Sequence, residues 1–584
     1  MKPFSCWPFK EIWCVDFEFN AQDGSRPEVR CMVARELTSG QTLRLWADEL
    51  KTLKAAPFNV GEDSLFVAYF STAEFSCFHT LGWQLPINVL DLFVEFRNIT
   101  NGLPTPGGSG LIGALVHYGM DAISATEKQE MRDLALRGGD YTPEEKIALI
   151  DYCESDVLAL IHLLPKIANQ IDLPHAILRG RYMKTVSVME HNGVPVDVDT
   201  LERLKPHWNP IKQLLVAKVD VDFGVYEGTT FKTDRFRAYL EQNNIAWPML
   251  PSGSLRLDDD TFKEMARAYP QLDPLKQLRA TLSGLKLHDI AIGSDGRNRC
   301  MLSPFRAKTS RNQPSNAKFI FGPASWIRYL IKPSPGKALA YIDWSQQEFG
   351  IAAALSGDEK MKEAYLSGDP YLAFAKQAGA VPQNATKASH KSEREKFKAC
   401  VLATQYGMGE LSLAQRIGQP PIAARHLLKL HRETYPTFWK WSDNVVNFAM
   451  LNGYLYTTFG WTIQLPQEPN DRSLRNFPVQ ANGAEMLRLA ACLIVEDGIK
   501  LCAPVHDAIV IEAPNEEIDK VVTRTKELMS IASKIILGDL ELKSDAEIIR
   551  SPDRYEPEKG EKMWVAVMEL LRQVENETSK TGVK

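Results

Sequence analysis

The sequence predicts a multidomain chain that combines α+β and α/β architecture. Two observations carry that expectation. At 584 residues and roughly 150 residues per domain, the chain has room for about four domains. Strand-like alternation and helical periodicity also change over in blocks along it. The order is mixed over 12–170, helical and polar over 175–300, and a strand running into a helix from 338. A mostly helical stretch follows over 356–450, and then two hairpins around a long helix.

Taken in order, "EIWCVDFEF" alternates and is rich in aromatic and β-branched residues, so it reads as a strand, and "LFVAYF" reads as another. "NGLPTPGGSGL" is a Gly/Pro loop. "TPEEKIALIDYCESDVLALIHLLPKI" is an amphipathic helix with a Thr N-cap and an acidic first turn. The polar helical stretch closes at the turn "GSDGRNR". The basic segment "FRAKTSRNQPSNAKF" then leads into "ALAYIDWSQQEFGIAAALSGD", an apolar strand followed by a small-residue helix. Breaks at "GDP", "GQPP" and "YP" divide the helices that follow. "GYLYTTFGWTIQLP" and "LCAPVHDAIVIEAP" read as hairpins, and "NFPVQANGAEMLRLAACLIVEDGI" as a long helix with Pro478 at its start or at a kink. The tail "ENETSKTGVK" is expected to fray.

Composition narrows the function classes. A hydrophobic content of 44% and a charged content of 24% describe a globular protein. No long uncharged apolar run predicts a membrane span, and the N-terminus lacks a secretory pattern, so a cytoplasmic location is expected. Nine cysteines without a C-x-x-C pair favour a reducing compartment and argue against zinc. The net charge of −5 does not advertise a nucleic-acid binder, although a local basic groove is compatible with it.

Four acidic features stand out. Asp16 and Glu18 sit two apart on a strand and therefore on one face. Amid Val15, Phe17 and Phe19 they would repel and resist ionising unless a cation lay between them, although a solvated strand face is the simpler account of the pair alone. Tyr152 and Asp156 are one helical turn apart. Asp343 ends an apolar strand, with Glu348 five residues on, and Asp507 follows His506 at the apex of an apolar hairpin. Each has an ordinary structural explanation by itself. Together they make two groups of oxygen ligands suited to hard divalent cations and to two-metal phosphoryl transfer. Arg394, Lys398, Leu402 and Tyr406 recur at four-residue steps, two cations followed by an aromatic, as a triphosphate and a stacked base would require. A solvated face with Glu393 and Glu395 as partners is the plainer alternative. Arg472, Asn476 and Gln480 follow the same step, and amides can donate and accept at base edges or sugars in a minor groove.

In this order the segments resemble the family A DNA polymerases, the class of bacterial DNA polymerase I. "DWSQQEF" is similar to that family's D-Y-S-Q-x-E-L motif. Arg394, Lys398, Tyr406 and Gly407 match its nucleotide-binding helix, Arg472, Asn476, Pro478 and Gln480 a further motif, and "VHDAI" its catalytic hairpin. Residues 10–170 resemble the DEDD-type 3′–5′ exonuclease domain that precedes such polymerases, through "DFE" and through Tyr152 and Asp156. The resemblance implies an RNase H-like exonuclease domain over 1–175 followed by a right-hand polymerase. Residues 176–300 would hold the start of the palm and a helical thumb, 301–355 the palm with its first acid, 356–450 the fingers, and 451–584 the palm with the catalytic hairpin. No 5′-nuclease domain is expected.

The same resemblance implies site roles. Asp343 and Asp507 would bind two Mg²⁺, with Mn²⁺ as a substitute, and Glu348 would exclude a 2′-OH. Arg394, Lys398 and Tyr371 would hold the phosphates, with Leu402 and Tyr406 beside the base. Arg311, Arg472, Asn476, Gln480 and His506 would contact the primer-template. Asp16, Glu18 and Asp156 would bind metal for the exonuclease, with Tyr152, and with Glu74 at the place of the middle acid. Primer-template DNA and dNTPs are the implied partners of a monomer, and no motif for a processivity partner is evident. Several positions depart from the family pattern. Ala508 stands where H-D-E has its Glu, Leu402 where an aromatic is usual, Tyr371 where a His is frequent, Gly350 where an Arg follows the gate, and Phe70 where the middle exonuclease motif has Asn. Asp91 is an alternative to Glu74, but fits better as a structural residue. An RNA polymerase of the single-subunit phage type and a non-catalytic DNA-binding relic are the competing readings. Glu348 speaks against the first, and the presence of both Asp343 and Asp507 against the second.

Overall fold

The structure, a computed structural model, describes residues 7–581 except 121–124, 251, 285–286, 323, 406, 408 and 539. Its N-terminal part is built on a five-stranded mixed sheet. The strands lie in the order Thr42–Trp46, Glu28–Glu36, Glu11–Asn20, Ser64–Ala68 and Asn88–Asp91. The first three pair antiparallel and the last two join in parallel. Strand Glu11–Asn20 alternates as expected. Ile12 and Cys14 enter one core with Leu149, Val157 and Leu160 of helix Pro143–Ile167. Trp13, Val15 and Phe17 enter another with Phe75 and Phe78 of helix Thr72–Leu81. Period two thus sends successive side chains to opposite layers. Asp16 and Glu18 point toward the layer of helix Pro143–Ile167. That helix begins as predicted. Thr142 Oγ1 accepts from the Glu145 N–H at 3.2 Å, and the Thr142 N–H donates to Glu145 at 2.9 Å, a reciprocal box.

A second sheet of four antiparallel strands lies in the C-terminal half, in the order Lys500–Val505, Ala508–Pro514, Lys337–Trp344 and Ser544–Arg550. Ala338, Ala340, Ile342 and Trp344 are buried on one face, and helices Asp471–Glu496 and Ile518–Leu537 pack against the sheet. Asp343 lies on the opposite face, which is covered at Leu339 and Tyr341 and exposed at Asp343 itself. Among the described residues no helix is long and apolar enough to cross a membrane.

Two sequence expectations need correction. The long helix starts at Asp471, capped by Asn470, whose side chain accepts from the Ser473 N–H at 3.2 Å. Pro478 is therefore inside the helix and not at its start. The chain end does not fray from residue 575. Helix Glu561–Thr581 buries Val567, Leu571 and Val574, and Arg203 grips Glu575 through two contacts of 2.9 Å. The amphipathic spacing of those apolar residues supplies the packing that a polar tail lacks. Residues 582–584 lie outside the described part.

The two sheets are tied through helix Leu92–Thr100 and the hairpin of strands Tyr454–Tyr456 and Thr462–Gln464. Asn98 accepts from the Thr462 N–H at 2.7 Å, and Asn101 donates to the Thr462 and Lys308 carbonyls at 2.8 Å each. The Gln464 N–H donates to the Asn101 carbonyl at 2.7 Å. Gly102, at φ +93°, lies so close that a Cβ would stand 2.2 Å from the Gln464 carbonyl oxygen. Beneath this contact Arg179 forks onto Glu95 with two bonds of 2.7 Å, and both side chains are almost fully buried. Removing one member of a buried pair leaves the other uncompensated, which costs about 3–5 kcal/mol, whereas a well-packed apolar pair is tolerated. Glu95→Ala should therefore lower the thermal midpoint by several degrees, and the double change Glu95→Leu with Arg179→Met should recover most of it. Calorimetry of the three proteins checks both.

Candidate active sites

Asp343 is the penultimate residue of its strand. It pairs opposite Ala508 on one side and opposite Asp545 on the other. Directly opposed residues share a face, so Asp343 and Asp545 project from the same face of the sheet. Val505 pairs with Ala508, leaving His506 and Asp507 as a two-residue turn. His506 has φ +57°, the left-handed value that the tight turns closing hairpins use. The hairpin therefore holds Asp507 beside the end of the Asp343 strand. Desolvation, and then the Asp507 charge, push the Asp343 carboxyl up to about 6. Arg311 reaches into this acidic corner, 3.3 Å from Asp507 and 3.9 Å from Glu348. Its loop is fixed from behind. The buried Arg488 donates to Ser310, to the carbonyl at 3.1 Å and the hydroxyl at 2.9 Å, and Trp461 Nε1 donates to the Lys308 carbonyl at 2.9 Å. A cleft of about 570 Å³ opens between this loop, the long helix and the hairpin apex, lined by Arg311, Asn312, Gln313 and His506.

Arg394, Lys398 and Leu402 share helix Lys391–Gln405. Arg394 is held by Asp369 at 2.5 Å and Glu395 at 2.7 Å. Its guanidinium lies 5.3 Å from the Tyr371 ring centre, and the Lys398 ammonium 5.8 Å. Tyr371 thus joins the two cations. Tyr406 lies outside the described residues. Gly407, at φ +62°, is where the Arg472 side chain packs, since a Cβ would meet it at 2.6 Å. Asn476 and Gln480 line one crevice with Glu348, Gln405 and Trp441. Gly350, two residues past Glu348, faces Leu542, and a Cβ there would meet it at 2.5 Å. An arginine side chain has no room at that point.

The N-terminal acids form a tighter group. One ligand atom each of Asp16, Glu18 and Asp156 lie within 4.8 Å of one another. Glu74, in the first turn of helix Thr72–Leu81, is 4% exposed and has an oxygen without a hydrogen-bond partner, as does Asp16. Burial and mutual repulsion raise Asp16 to about 8 and push Glu18 and Glu74 well above the carboxylate range. Tyr152 stands one helical turn before Asp156, and Lys128 donates to Asp156 at 3.3 Å. Asp91 has a different place. It accepts from the Ser71 N–H and hydroxyl at 2.7 Å each and from the Phe70 N–H at 3.2 Å, and it caps the next helix at Val94. It thereby fixes Phe70 at φ +72° and sets the start of the helix that carries Glu74. An all-oxygen donor set with buried, unpartnered oxygens fits a hard divalent cation.

Residues 322–551 match the family described as DNA polymerase family A. Over 416 residues the chain is 24% identical to DNA polymerase I of Chloroflexus aurantiacus, covering 65% of this chain and 44% of that protein. Over 537 residues it is 24% identical to the DNA polymerase of Mycobacterium phage D29, covering 86% of this chain and 87% of the phage protein. The fold is shared with the POL domain of Pol1 from M. smegmatis, solved with DNA primer-template and dNTP. That likeness has a TM-score of 0.69 at 20% identity, over 92% of this chain and 95% of the other.

Two site neighbours escaped the sequence reading. Asp545 lies on strand Ser544–Arg550, whose short run "SDAEIIR" was the available signal. Lys128 lies on the polar helix Ala125–Arg137, where nothing in the sequence separates it from surface lysines. The raised Asp16 gives a pH test. Its folded-state value lies above the usual 3.8, so the folded chain favours the protonated form. That preference costs nothing below about pH 4 and destabilises the ion-free protein progressively as pH rises toward about 8. In EDTA, Asp16→Asn should melt several degrees above wild type at pH 8 and together with it at pH 4, as a thermal scan across pH reads directly.

Proposed function

We propose that the chain is a DNA-templated DNA polymerase with a separate 3′–5′ exonuclease centre on an RNase H-like N-terminal domain. The placement of Asp343 and Asp507 side by side at a strand end and a hairpin apex, within the span that matches DNA polymerase family A, carries the polymerase assignment. The strand order of the N-terminal sheet and the buried Asp16, Glu18, Glu74 and Asp156 group support the exonuclease. Mg²⁺, or Mn²⁺ in its place, held by Asp343 and Asp507 and by Asp16, Glu18 and Asp156, would activate the attacking oxygen and stabilise the leaving one.

In extension, the primer 3′ oxygen attacks the α-phosphorus of the dNTP, and the bond to the bridging oxygen breaks to release pyrophosphate. Arg394, Lys398 and Tyr371 hold the phosphates, and Lys398 protonates the departing pyrophosphate. Glu348 packs under the sugar and excludes a 2′-OH, while Leu402 and Tyr406 sit beside the base. Arg311 exchanges its acidic partners for the primer-template minor groove, where Arg472, Asn476 and Gln480 also bind, and His506 positions the primer end. In excision, a water oxygen attacks the terminal phosphodiester and the bond to the 3′ oxygen breaks. A nucleoside monophosphate leaves, and the new primer end takes up a proton. Tyr152 orients the attack through Asp156. The protein would work as a monomer in replication or repair.

Extension and shortening of a labelled primer test both centres at once. Asp343→Ala should lose extension by more than about a thousand-fold and keep shortening, because several kcal/mol of charge stabilisation are removed at one centre only. Asp16→Ala should do the reverse. A wild type that extends but never shortens would overturn the exonuclease assignment alone. Glu348→Ala should extend with rNTPs at least about tenfold better than wild type, and a wild type that already prefers rNTPs would favour an RNA polymerase.

A further inference from the structure

We infer that Lys128 is a working member of the N-terminal acid centre. Its ammonium is the centre's resident counter-ion, which yields its carboxylate to a divalent ion and then neutralises the phosphate being cleaved. The inference rests on the exonuclease assignment. Helix Ala125–Arg137 packs beside strand Glu11–Asn20 and places the Lys128 nitrogen 3.3 Å from an oxygen of Asp156. The lysine is a third exposed and Asp156 far less so, at 33% and 14%, so the ammonium sits at the rim with its partner facing inward. Its field reaches Asp16 and Glu18 as well as Asp156.

The geometry separates Lys128 from an ordinary surface ion pair. The ammonium satisfies the outermost carboxylate, while the deeper Asp16 and Glu74 each keep a buried oxygen without a partner. Oxygens able to take a second cation therefore remain beneath the lysine. Four carboxylates also exceed what one ammonium or one divalent ion can balance, and the two together come closer. A lysine suits this because its point charge rides on a flexible stem and engages phosphate without a fixed fork. Once an ion takes the Asp156 oxygen, the freed ammonium stays within reach of a phosphodiester bound at the same rim.

The test uses the full chain carrying Asp343→Asn and Asp507→Asn, so that ion uptake reports the N-terminal centre. Mn²⁺ binding is followed by electron paramagnetic resonance, and mononucleotide release from a 5′-labelled single strand by gel, for Lys128, Lys128→Met and Lys128→Arg. Loss of the competing charge should tighten Mn²⁺ about tenfold in Lys128→Met. Cleavage at saturating Mn²⁺ should fall roughly a hundred-fold, the scale of losing one charge-stabilising group. Lys128→Arg should stay within about tenfold of the parent in rate. A lysine with only a structural role would weaken both or change neither. Unchanged Mn²⁺ affinity in Lys128→Met, with normal cleavage by the parent, overturns the role of Lys128 alone. A parent that binds Mn²⁺ and never cleaves overturns the exonuclease assignment, and the catalytic half of this inference with it.

Discussion

Carboxylates brought together in a partly dry site repel one another, and both acid centres of this chain are arranged around that repulsion. A flexible loop would relieve it by swinging apart. Here the acids are mounted on elements that cannot. Asp343 is locked between two strands by antiparallel pairing on both sides, and Asp507 by a two-residue turn that leaves no slack. Asp16 and Glu18 belong to a strand paired antiparallel on one side and in parallel on the other, and Asp156 lies within a 25-residue helix. The cost appears as raised proton affinity at Asp16 and Asp343. A cation removes that cost, so the rigidity that makes the ion-free centres unfavourable is what makes them receptive.

Cations already present in the chain occupy both centres in part. Arg311 leans on Asp507 and Glu348, and Lys128 on Asp156. The two are mounted differently. Arg311 belongs to a loop anchored by buried Arg488 and Trp461, so its reach is set by the same long helix that carries Arg472, Asn476 and Gln480. Lys128 comes from helix Ala125–Arg137, on a flexible four-carbon stem that is a third exposed. The anchored cation suits a fixed contact with a duplex, and the looser one suits exchange with an ion.

The sequence made the site acids legible before the fold around them. Strand Glu11–Asn20 and the hairpin at His506 and Asp507 were readable because aromatic and β-branched residues alternate or bracket a tight turn there. Strand Glu28–Glu36 was not, because it is buried on both faces over most of its length and so lacks a period of two. Thr42–Trp46 and Asn88–Asp91 are too short to show a pattern. The helix around Pro478 was cut short because proline signals a boundary in sequence. The side chain of Asn470 supplies the true one, six residues before the Asn476 at which the long helix was read to begin. Contacts between distant segments, such as Glu95 with Arg179 and Asn98 with Thr462, have no local signature at all.

The row Ala508, Asp343, Asp545 shows how a departure from the family pattern can be absorbed. An acid at position 508 would stand directly opposite Asp343 on the hairpin side. The chain has alanine there and an acid at the mirror position, on the strand Ser544–Arg550. Asp343 therefore keeps a carboxylate neighbour across one strand pair, and the charge on that face of the sheet is shifted from the hairpin to the opposite edge. Asp545 is itself steadied by the Ser345 hydroxyl, two residues past Asp343. Its position thus follows the start of the helix that carries Glu348.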